Sequence, residues 1–117
     1  AKGRFLNNTQ ESKKAGQTVK LIEKPSAIGL SELVSQGAAF DLIYVDGTHT
    51  APGAMSDCCL SYVLLKPGGL MLIDDYLWGE SHLGNKRPKP GVDAFVNCFA
   101  EKLTLLHNGY QVILKKH

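Results

Sequence analysis

Two continuous apolar runs end in acidic turns, and this pairing constrains the fold more than any other feature of the sequence. The first reads Phe40-Asp41-Leu42-Ile43-Tyr44-Val45-Asp46-Gly47-Thr48-His49, and the second Gly69-Leu70-Met71-Leu72-Ile73-Asp74-Asp75-Tyr76. Short apolar runs without polar alternation suit buried strands of a parallel sheet. Carboxylates that follow such runs mark the carboxyl edge of the sheet, where open α/β folds bind their ligands. Asp46, Asp74, Asp75 and His49 are therefore expected to converge there, and three carboxylates invite a hard divalent cation.

The rest of the chain punctuates itself around these runs. Phe5 to Ala15 is helix-compatible and stops at Gly16; Thr18 to Glu23 reads as a strand closed by Pro25. Ser26 opens a helix with Ile28, Leu30, Leu33 and Val34 at amphipathic spacing, and Gly37 lies past its end. Ala51 to Leu65 carries Met55, Cys59, Leu60, Val63 and Leu64 at helical spacing, with Pro52 in the first turn. Lys66-Pro67-Gly68-Gly69 is read as a sharp stop before a strand from Leu70 to Ile73. Gly79 to Pro90 is loop-like and long enough to act as a lid. Val92 to Lys102 predicts a helix with Val92, Phe95, Val96 and Phe99 inward; Leu103 to Leu114 predicts a hairpin turning at Asn108-Gly109 through positive φ angles. Alternating helices and strands imply an α/β sheet, mainly parallel, with an antiparallel C-terminal hairpin and helices on both faces.

Composition narrows the function classes. The 117 residues suit one domain, and no apolar stretch approaches the roughly 20 residues of a membrane span. The net charge of +2 is too small to argue for nucleic acid, and Lys13-Lys14 and Lys115-Lys116 read as solvated faces. Three cysteines without Cys-x-x-Cys spacing cannot all pair within one chain, so a reducing cytoplasm is expected, with Cys58 and Cys59 as inert buried thiols in an apolar helix. Each acidic feature also has a plainer reading. Asp74-Asp75 can cap the following loop, His49 can be an ordinary loop histidine, and Trp78 is either a substrate wall or a hydrophobic anchor. His82, His107 and His117 lack metal-ligand spacing.

The first run, the Leu65-Lys66-Pro67-Gly68-Gly69 turn, Ile73-Asp74-Asp75-Tyr76 and the terminal hairpin together resemble the C-terminal half of a class I S-adenosylmethionine (SAM)-dependent methyltransferase. Within that superfamily the likeness is to metal-assisted O-methyltransferases of the catechol, caffeoyl-CoA and macrocin types. It runs from about Thr18 onward and implies a single truncated, Rossmann-like methyltransferase domain over residues 1–117. The resemblance implies Asp46, Asp74 and Asp75 as ligands of Mg²⁺ or a similar cation, His49 as catalytic base, and Tyr76 and Trp78 on the substrate side. Glu23 and Ser26 fall where the family's third strand meets the cofactor's adenine. No glycine-rich cofactor loop precedes Thr18, and Lys24-Pro25 follow Glu23 where the family usually has an acidic residue.

In the family the first strand lies beside the fourth, so Leu42 to Val45 is expected to form an apolar edge that favours a homo-oligomer. The implied function is metal-assisted O-methylation of a small-molecule hydroxyl, with neither nucleic acid nor membrane as partner. The alternative is a non-catalytic, oligomerising remnant of the same fold. A metal-dependent phosphatase or hydrolase is disfavoured, because neither a phosphate-cradling loop nor a nucleophile elbow occurs.

Overall fold

The computed structural model describes residues 26–46, 49–79, 81–82 and 84–117. The expected helix from Phe5 to Ala15, the strand from Thr18 to Glu23 and the cofactor residue Glu23 lie outside them, as do Gly47 and Thr48. The described elements are α1 (Ser26–Ser35), β1 (Phe40–Val45), α2 (Ala51–Leu64), β2 (Leu65–Ile73), a 3₁₀ turn (Gly84–Lys86), α3 (Lys89–Cys98), β3 (Leu103–Asn108) and β4 (Val112–Lys116).

The strands form one sheet in the order β1-β2-β4-β3. β1 and β2 run parallel, as their apolar runs predict, whereas β4 is antiparallel to both β2 and β3. The expected mainly parallel sheet is thus, among the described residues, one parallel and two antiparallel pairings. The Lys66-Pro67-Gly68-Gly69 turn also differs from expectation. It is not a stop before the strand but a bulge within β2, with register shifting between Phe40↔Leu65 and Leu42↔Leu70. Gly68 takes a φ of +83° there, and a Cβ at Gly69 would lie 2.9 Å from the Asp41 carbonyl oxygen, so both positions need glycine.

One face of the sheet carries the core. Val45, Met71, Ile73, Val112 and Leu114 pack against Ala54 and Cys58 of α2 and Val92 and Phe95 of α3. On the opposite face Leu42 and Tyr44 are 62% and 39% exposed, so among the described residues the helices that pack on the sheet share one side. α2 buries a stripe of mostly small residues, Ala51, Ala54, Cys58 and Ser61, ending in Leu64. Met55 and Val63, expected inward, face outward. The reason is close approach: α3 crosses so near that a Cβ on Gly91 would lie 2.0 Å from the Ala51 carbonyl oxygen. In α1, Leu33 is buried but Ile28 is not, and Gly37 closes the helix at positive φ while the Ala38 amide donates to the Leu33 carbonyl.

α3 begins three residues before the expected start, because Pro90 falls in the first turn, where its missing amide would have no i−4 partner within the helix, and it ends at Cys98 rather than Lys102. The hairpin forms, but neither Asn108 nor Gly109 adopts positive φ; the loop closes instead through the Gly109 amide donating to the Gln111 carbonyl. Lys116 is not a solvated lysine. Its ammonium donates to the Tyr62 and Leu65 carbonyls at 2.9 and 2.7 Å and lies 4.1 Å from the Tyr62 ring centroid, capping the negative end of α2. No described helix is long and apolar enough to cross a membrane.

Candidate functional site

The parallel pairing of β1 with β2 brings the two acidic turns side by side. The Asp74 amide donates to the Val45 carbonyl at 3.0 Å, extending the ladder one step past both strands. Asp46, Asp74 and Asp75 then each offer one carboxylate oxygen within 4.8 Å of the others. Three oxygen donors at that separation fit a divalent cation that takes oxygen ligands and keeps waters or substrate oxygens in its shell.

The three carboxylates are held differently. Asp74 is partly buried, which raises its pKa, but the Tyr44 hydroxyl, the Asp75 amide and the Gln111 side-chain amide all donate to it and hold it below the usual carboxylate range. For Asp46 the order reverses: burial, then the Asp75 and Asp74 charges, push its carboxyl above the usual range. Asp75 sits at φ +59°, the one described non-glycine residue in the left-handed region. Burial and the Asp74 hydrogen bond raise the Tyr44 phenol, so it stays a donor.

His49 joins the cluster. Its Nε2 lies 2.9 Å from Asp75 Oδ2, with the imidazole partly exposed at the start of the turn into α2. Thr50, the next residue, caps that helix by accepting from the Gly53 amide at 3.3 Å, and Ala51 is buried against Gly91. The cap and the close packing fix the backbone that presents His49. The His49 imidazole stacks on the Trp78 indole with centroids 4.0 Å apart at 17°, and His82 stacks on the same indole at 5.5 Å and 6°.

Tyr76 lies elsewhere. It is buried in the core, and its hydroxyl donates to Asp93, which also accepts from Lys89 at 2.9 Å. That pairing anchors the acidic turn to α3. Ser26 opens α1, as expected. The Gly79 to Pro90 stretch is not a uniform loop, since it contains the 3₁₀ turn and the first residues of α3.

Four residues missed in the sequence reading belong to the site. Tyr44 and Gln111 hold Asp74, and the Tyr110 carbonyl accepts the Tyr76 amide at 2.9 Å. Asp57, 3% exposed on α2, lines the same small cavity as His49, Asp74 and Asp75. Tyr44 was findable, two residues before Asp46 on the same strand face. Gln111 and Tyr110 come from the hairpin loop, and no local pattern points to them.

The methyltransferase-domain family matches residues 2–76, more than half of the chain. No curated protein matches. Two solved structures of the MycE methyltransferase from the mycinamycin biosynthetic pathway share this fold. The complex with Mg, SAH and mycinamycin VI is 17% identical, with a TM-score of 0.63 over 81% of this chain and 31% of that one. The complex with Mg and SAH is 18% identical, with a TM-score of 0.57 over the same shares. The chain therefore spans about a third of the length of these structures, and at such identity the likeness is one of fold.

Proposed function

The chain belongs to the methyltransferase-domain family, and from that premise we propose that its site serves SAM-dependent O-methylation of a small-molecule hydroxyl, with Mg²⁺ or a similar cation held by Asp46, Asp74 and Asp75. The observation that carries this reading is the meeting of three carboxylates and His49 at the carboxyl edge of the β1–β2 pair. The Mg and SAH in the MycE complexes support it. When bound, the cation supplies a Lewis acid that lowers the pKa of a substrate hydroxyl, and SAM supplies the methyl group.

The chain's own residues handle the proton. Against the Asp75 carboxylate, His49 Nε2 carries the hydrogen and donates it, which leaves Nδ1 as the nitrogen that accepts a proton from the substrate hydroxyl. Asp75 then steadies the imidazolium, as a carboxylate does for a histidine base. Tyr44 and Gln111 keep Asp74 ionised and oriented. Trp78, partly exposed, borders the substrate side, while Tyr76 supports the turn from the core. Ser26, at the start of α1, and Glu23 serve the cofactor's adenine side.

Calorimetric titration with SAM, with and without Mg²⁺, tests the reading. Metal-dependent binding that Asp75→Ala abolishes is the expected result; no heat at millimolar SAM sinks it for this chain. A second reading, a non-catalytic oligomerising module, draws on the outer edge of β1, which has no strand neighbour among the described residues. On either reading the chain works as a homo-oligomer in a reducing cytoplasm, a setting that suits the free thiols of Cys58, Cys59 and Cys98.

A further inference from the structure

Two successive turns wrap Trp78 around His49. In the first, the Trp78 amide donates to the Asp75 carbonyl at 3.0 Å, so one four-residue turn supplies both partners of the imidazole. Asp75 meets the ring in its plane, at Nε2, and Trp78 covers its face. In the second, the His82 amide donates to the Gly79 carbonyl at 2.8 Å and folds His82 back onto the indole. Gly79 makes this possible: its φ is +74°, and a Cβ there would stand 3.1 Å from His82 Nδ1. The left-handed residues Asp75 and Gly79 therefore open the two turns that build the stack.

An imidazole held only by one hydrogen bond at its edge still pivots about its χ torsions, and χ2 is broad for histidine. A flat ring stacked on one face removes that freedom, because rotation out of the stack costs the contact. We infer that Trp78 is a positioning residue for His49, fixing the imidazole plane so that Nε2–H stays on Asp75 and Nδ1 stays open, and that His82 steadies the indole from the second turn. The inference rests on the reading of His49 as base, but its physical content is the ring orientation, which exists without cofactor, cation or substrate.

The test is ring-nitrogen NMR of the full ligand-free chain, at a pH well above the imidazole range, comparing wild type with Trp78→Leu, Trp78→Phe and His82→Ala. Circular dichroism confirms the fold of each. A hydrogen bond from neutral Nε2–H to the Asp75 carboxylate fixes one His49 tautomer by about tenfold or more in the wild type. In Trp78→Leu that preference falls to within about threefold, in Trp78→Phe most of it returns, and in His82→Ala it weakens by about twofold. An unchanged tautomer preference in folded Trp78→Leu overturns the inference. Should that variant fail to fold, His82→Ala decides the matter, and an unchanged preference there overturns it equally. Absence of SAM or Mg²⁺ binding would sink the proposed activity while leaving this result untouched.

Discussion

Asp46 and Asp74 sit at the ends of adjacent parallel strands, yet their pKa values move in opposite directions. Asp74 collects donors from Tyr44, Gln111 and the Asp75 amide, and its stabilising contribution is present above the unfolded carboxylate pKa and lost as pH falls through its lowered folded value. Asp46 is only partly desolvated, but it stands beside two like charges, so its ionised form is a liability that grows as pH rises through its raised folded pKa. Asp46→Asn is therefore expected to stabilise the ligand-free chain at neutral pH, by less than about 1 kcal/mol because the group is largely exposed, and to show this as a higher melting temperature. The gain should vanish below the carboxylate range, where the wild-type group is already protonated, and a variant no more stable at neutral pH would contradict this account. Mg²⁺ should raise the wild-type melting temperature and not that of the variant. These carboxylates were legible in the sequence because a strand's end fixes where its next residue stands. The Trp78 stack was not, since it depends on left-handed φ at Asp75, a residue whose type does not announce it.

Between α2 and α3 the decisive contact is backbone against backbone. Gly91 lets α3 lie on the first turn of α2, and that turn follows directly from His49 and its capping neighbour Thr50. Gly91→Ala would place a methyl within 2.0 Å of the Ala51 oxygen, so the helices must separate. Overpacking of this kind costs about 1–3 kcal/mol. The expected outcome is a lower denaturation midpoint together with weaker Mg²⁺ binding, since the His49 turn moves with α2; a fully stable variant would show that the helices slide freely. Element types and order were readable over the described residues because apolar runs, prolines and glycines punctuate them. The buried face of α2 was readable only in part. Leu64 and the Cys58 thiol are buried as expected, but periodicity also pointed to Met55 and Val63, whereas close helix crossing selects the small Ala51, Ala54 and Ser61. The bulge in β2 was hidden for a similar reason. Pro67 and two glycines look like a stop, and only pairing with β1 shows that the strand resumes in register after them.

At the scale of the whole molecule, β1 is an edge strand among the described residues, and it carries Leu42 and Tyr44 on the face away from the core. An apolar edge strand is a template for pairing with another chain, and a two-fold axis lets one β1 pair with its copy. Such pairing bears directly on the site, because β1 leads into Asp46 and its Tyr44 holds Asp74. A second copy along β1 would sit next to the carboxylate cluster and exclude water from it. Light scattering after size exclusion is expected to give the mass of a dimer at micromolar concentrations. Leu42→Lys, which puts a charge on the edge without touching the core face, should shift the chain to monomer. If SAM binding needs the assembly, its apparent affinity will rise with protein concentration in the wild type and stay flat in Leu42→Lys. A wild-type monomer across that range would remove the edge-pairing argument and leave the carboxylate cluster to act within one chain.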